Sequence, residues 1–126
     1  LRLGAGAGAA LAQATQALAA GNAVVAVAEN ARAALAPFVT VGLPVVALDG
    51  QVAAADLAAL TDLALVAARG PGDWPRTLRR ALAARVGAIV PLETALIAPE
   101  RYCLERHLCI DTTAAGGNAS LLAQSA

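Results

Sequence analysis

Gly4, Gly6 and Ala9 stand in the spacing Gly-x-Gly-x-x-Ala, between a short apolar stretch and an alanine-rich run. Glycines so placed permit a tight turn and let a pyrophosphate approach the N–H groups that open a helix. An acid about 20 residues further on would then take the ribose 2′-hydroxyl of a dinucleotide. Glu29 follows Ala9 by 20 residues, so the spacing fits. A chain with 36 alanines and 11 glycines also produces such a run readily, in which case the glycines serve only a strand-to-helix turn. The other reactive side chains are Cys103, Cys109 and His107. On a regular strand His107 and Cys109 share a face, yet a thiolate nucleophile needs a cationic or helix N-terminal setting and a base. With no third partner or oxyanion donor identifiable, structural cysteines, buried or half-buried, are expected. One histidine among scattered carboxylates makes no metal site. Arg76, Arg79, Arg80 and Arg85 are read as a solvated face or a source of inter-domain salt bridges rather than a phosphate site.

The elements that must position these residues follow from periodicity and turn chemistry. Residues 1–3 read as the end of a strand, residues 9–20 as a helix of Ala, Leu and Gln, and Gly21 as its stop. Val24, Val25 and Val27 form a continuous apolar run, the pattern of a strand covered on both faces. Residues 31–35 predict a short helix ending before Pro37. Strands are expected at 44–48, 62–67 and 88–90, the last cut by Pro91, with a helix at 53–60. A further helix at 76–85, with Asp73 as cap and Pro75 in its first turn, buries Leu78, Ala81 and Leu82 and exposes its arginines. Alternating strands and helices joined by short connections predict an α/β fold: a Rossmann-like, mostly parallel sheet flanked by helices. Residues 1–98 form that domain. Residues 92–97 are read as an extended segment, and residues 99–126 as a turn of helix, a strand at 105–111 and a small-residue tail.

Composition limits the function. The chain has 126 residues, of which 59% are hydrophobic but only 2% aromatic, so much of the packing is Ala and Gly against backbone. Nine Arg without Lys balance nine acids. That neutrality leaves no basic footprint for nucleic acid or an anionic membrane. Residues 3–28 are uncharged, but Gln13, Thr15, Gln16 and Asn22 interrupt them and Gly21-Asn22 is a turn signal, so no transmembrane helix is expected. No signal peptide is recognisable. Two cysteines without C-x-x-C spacing fit a reducing, cytoplasmic setting. The absence of Met and the start inside an apolar stretch lead us to expect the tail of a longer protein.

Two stretches carry a family resemblance. Ala17-Leu18-Ala19-Ala20-Gly21-Asn22-Ala23-Val24-Val25 resembles the helix-to-strand passage of the aldehyde dehydrogenase superfamily. RRALAARVGAIVPL from Arg79, with ERHLCIDTTAAGGNASLL from Glu105, looks like the C-terminal end of the proline utilization A family, bacterial bifunctional flavoenzymes that oxidise proline to glutamate. The resemblance implies a non-catalytic, Rossmann-like domain. It would act as a lid over the tunnel that carries pyrroline-5-carboxylate/glutamate semialdehyde between active sites. FAD and NAD would belong to the parent protein and no cofactor to this segment. The partner would be the catalytic aldehyde dehydrogenase module of the same chain or a neighbouring subunit, with Thr112, Thr113, Gly116, Gly117, Asn118 and Ser120 docking the tail. Small tail residues suit close insertion against another surface. Val27 stands where catalytic superfamily members place a Lys that contacts the adenosine ribose or its phosphate, and valine cannot donate that bond. The alternative reading is an NAD(P)-binding half-domain of an oxidoreductase using Gly4, Gly6 and Glu29; a self-standing oligomerisation module is a third.

Overall fold

The computed structural model describes residues 1–4 and 6–104. Five parallel strands make one sheet: β1 (Arg2–Gly4), β2 (Val24–Ala28), β3 (Val45–Asp49), β4 (Val66–Arg69) and β5 (Leu92–Glu93), in the spatial order β3-β2-β1-β4-β5. Parallel neighbours require crossovers. These are supplied by α1 (Ala7–Ala19), α2 (Ala31–Thr40), a 3-10 segment at Ala54–Ala59, and α3 (Trp74–Ala83). The order reverses between β3 and β4, so the sheet is doubly wound about β1. That is the α/β class expected from the alternation of the sequence.

Side-chain alternation along β4 separates the two layers. Ala67 packs with Ala14 and Ala17 of α1, Leu35 of α2, and Val24 and Ala26, whereas Val66 and Ala68 pack with Leu3, Leu57, Leu78 and Leu82 under α3 and the 3-10 segment. Alanine makes the first layer possible, because Ala10, Ala26 and Ala31 are fully buried where larger side chains would hold the helices away from the sheet. The second layer reaches β2 only at Val27. Val25, Val46 and Leu48 point to that side and remain 42%, 54% and 41% exposed. The expectation of a β2 covered on both faces therefore holds at Val27 and is corrected at Val25, which the short 3-10 segment leaves in solvent.

Local signals fared unevenly. Gly21 ends α1 as expected: at φ 81° it lets Asn22 N–H reach back to the Ala17 carbonyl at 3.0 Å, closing the last turn. α2 runs through Pro37 to Thr40 instead of stopping at 35. Leu35 is buried and Phe38 packs on the same cluster, so packing outweighs the missing N–H of an exposed proline. Asp49, at the end of β3, accepts the Arg32 N–H at 3.0 Å and so caps α2 from another element. The helix expected at 53–60 is the 3-10 segment, opened by an Ala53 N–H to Asp56 carboxylate bond of 3.2 Å. The strand expected at 62–67 begins only at Val66, because Asp62 at φ 55° still turns the chain. The strand expected at 88–90 is displaced to β5, with Ile89 in solvent and the Pro91 carbonyl accepting the Val66 N–H at 3.0 Å. A proline without N–H is tolerated there because it precedes an edge strand.

Candidate functional site

The C-terminal ends of β1 and β4 flank the point where strand order reverses, the usual ligand position of an open α/β sheet. A crevice of about 280 Å³ lies there, and Gly4, Glu29, Arg69, Gly70 and Trp74 are among its walls. The structure thus brings together two of the three residues singled out for a dinucleotide. Gly6, at φ 92°, opens α1 and does not line the crevice. What requires Gly4 is visible: at φ 103°, a Cβ there would stand 1.8 Å from the Arg69 carbonyl oxygen and 3.0 Å from the Trp74 ring. A Cβ at Gly70 would meet the same ring at 2.3 Å. The two glycines are seats for the Trp74 indole, which occupies space over β1 and β4. Ligand pockets usually measure about 300–1,000 Å³, so the room left at this crevice is small for a dinucleotide.

At the opposite end of the strands, a cavity of about 680 Å³ is lined in part by Arg2, Gln13 and Tyr102. Arg2 is buried, donating to the Gly4 carbonyl at 2.8 Å and to Gln13 Oε1 at 3.4 Å. Burial pushes its guanidinium below its ordinary value; nearby Tyr102 opposes the shift and Arg69 adds to it. The phenol of Tyr102 is raised, first by burial and then by Glu93, with Arg2 opposing. Its hydroxyl is buried with no hydrogen-bond partner among the described residues.

Segment 93–102 is tied across α1 by the side-chain amides of Gln13, Gln16 and Asn22. Gln13 donates to the Ala95 carbonyl at 3.0 Å, and Gln16 to the Leu96 carbonyl at 2.8 Å. Gln16 also accepts the Ala98 N–H at 2.7 Å. Asn22 donates to the Tyr102 carbonyl at 2.8 Å. The signal available was three amide side chains, Gln13, Gln16 and Asn22, in an otherwise apolar stretch: in an α/β layer, such groups must find backbone partners or face water.

Two other expectations need correction. Cys103 is exposed rather than buried or half-buried. Arg85 is half-buried and turns back to donate to the Leu57 carbonyl and, at 2.5 Å, to that of Leu60, leaving Arg76, Arg79 and Arg80 as the exposed arginines of α3. His107, Cys109, Thr112, Thr113, Gly116, Gly117, Asn118 and Ser120 lie outside the described residues, as does the strand expected at 105–111. Among the described residues no group of three or more His, Cys, Asp or Glu is placed to hold a metal. No described helix is long and apolar enough to cross a membrane.

Fold and crevice together define an α/β protein of the Rossmann-like, doubly wound parallel-sheet class. No family model matches the sequence, and no solved structure matches it. Bifunctional protein PutA of Salmonella typhimurium is 47% identical over 58 residues, a stretch covering 42% of this chain. The match spans 4% of that relative's length.

Proposed function

We propose that this chain is a non-catalytic C-terminal segment of a bifunctional proline-catabolic enzyme. In this reading it covers the tunnel through which pyrroline-5-carboxylate/glutamate semialdehyde passes from an FAD-dependent proline dehydrogenase to an NAD-dependent aldehyde dehydrogenase in the cytoplasm. The observation that carries the reading is the 47% identity to PutA. The half-covered sheet supports it, since Val25, Val46 and Leu48 present aliphatic surface that a neighbouring catalytic module, from the same chain or another subunit, would remove from water. Thr112, Thr113, Gly116, Gly117, Asn118 and Ser120 are assigned to docking on that module. FAD and NAD are assigned to the catalytic modules, and the part played by this segment is to shape and close the path.

Deletion of residues 112–126 from the full-length gene product tests the reading through two rates. Coupled conversion of proline to glutamate should slow while proline oxidation keeps its rate. Unchanged coupled kinetics would refute the lid. A second reading, an NAD(P)-binding half-domain, draws on the placement of Gly4 and Glu29 around one crevice. Calorimetry with NAD decides it: micromolar binding abolished by Glu29→Ala would favour it, and no heat of binding would remove it.

A further inference from the structure

Helix α3 has one cationic face. At 3.6 residues per turn, Arg76, Arg79 and Arg80 fall within an arc of about 100° opposite the buried Leu78 and Leu82. All three are exposed. Their one ion pair among the described residues is a 3.7 Å contact between Arg76 and Asp73, both largely in solvent, which holds little energy. The helix feeds directly into a loop carrying the two most exposed large hydrophobic residues among those described, Val86 at 100% and Ile89 at 96%. Val90, rather than either of them, anchors this loop in the core. Solvated aliphatics in the loop that follows a helix of exposed arginines are the reverse of a surface built only to face water.

We infer that the outer face of α3 and the loop at Val86 and Ile89 form a docking surface for an acidic protein surface with an apolar centre, contributed by the module this segment covers. The inference rests on the lid reading for the identity of the module and adds the face that meets it. Charge complementarity sets the partner's chemistry. Three guanidiniums call for carboxylates at the rim, and two aliphatic side chains call for a dry centre. A nucleic acid would satisfy the arginines but leave Val86 and Ile89 in water, and the neutral chain offers no wider basic track.

Hydroxyl-radical footprinting of the full-length gene product reads the contact residue by residue. Val86 and Ile89 should be protected in the wild type, and R76E/R79E/R80E should raise their oxidation about tenfold through like-charge repulsion. Oxidation of the buried Leu78 and Leu82 should stay unchanged. If the variant exposes those leucines, wild type at 1 M salt provides the same comparison without altering the fold, since screening alone should then raise oxidation at Val86 and Ile89. Wild-type Val86 and Ile89 already oxidised at the rate of solvated side chains would overturn the inference. So would heparin retention without protection, which would point to a polyanion. Protection that persists when deletion of residues 112–126 leaves coupled turnover unchanged would keep the contact and discard the lid. Slowed turnover without protection would do the opposite.

Discussion

Strands β1 and β4 are enclosed on both sides, by α1 on one face and by α3 with the 3-10 segment on the other, whereas β2 reaches that second layer only through Val27, and Val46 and Leu48 of β3 stay exposed on that side. The same residue types therefore meet different fates. Val66 is fully buried while Val46, in an equally apolar strand, is 54% exposed. The difference comes from the crossovers. A 13-residue α1 and a 10-residue α2 span one face of the β2–β3 half, but the connection from β3 to β4 contains only six residues of 3-10 helix. A half-open sheet of small and β-branched residues is what a segment that completes its burial against another module would show.

Substitutions can break or sharpen that contrast. The largest effect is expected for Gly4→Ala in the enclosed half. The new methyl would collide with the Arg69 carbonyl at a left-handed φ, and the loss in urea denaturation should be about 3 kcal/mol or more. A stability within experimental error of wild type would show that β1 and β4 are not tightly joined. Leu78→Ala, beneath α3, should cost about 3 kcal/mol through the cavity it leaves. Val46→Ser, in the open half, should change the stability of the chain by no more than about 0.5 kcal/mol. If those two variants lost stability equally, the distinction between the halves would fail. Asn22→Ala removes bonds of 3.1 Å and 2.8 Å to the Ala17 and Tyr102 carbonyls and should cost about 1 kcal/mol.

The smallest effect concerns pH. The Tyr102 phenol is raised in the folded state, so its contribution to stability is complete below the ordinary tyrosine value. It is lost as pH rises through that value toward the folded one. Tyr102→Phe should leave neutral-pH stability unchanged or slightly higher, because the buried hydroxyl it removes has no partner among the described residues. The variant should also flatten the alkaline limb of the denaturation midpoint. An alkaline limb identical to wild type would contradict the assignment.

The fold class was legible because Gly21, the valines of β2 and β3, and the alternation of strands with helices are local signals. Less legible was anything decided by a distant partner. Nothing near Pro37 announces that Leu35 and Phe38 hold α2 together across it. The extended reading of residues 92–97 covers β5, but nothing near residues 88–90 shows that β4 pairs with Leu92 and Glu93 instead. The apolar spacing of Val25 and Val46 looks the same whether or not a helix lies above it. At the crevice, Gly4 and Glu29, singled out from the sequence, both belong to the walls, but the sequence could not show Trp74 beside them, because the indole comes from α3, which lies on the far side of the order reversal. The ties of Gln13, Gln16 and Asn22 to segment 93–102 span about 80 residues of chain, a distance over which no periodicity carries information.

The central claim is that this segment closes a path between two active sites. The direct measurement is the sensitivity of glutamate formation from proline to an added amine that captures free aldehyde, comparing the full-length gene product with its form lacking residues 112–126. The account predicts that the intact protein is insensitive to the trap and that the shortened form loses glutamate yield as the trap concentration rises. Equal sensitivity in the two forms would contradict it.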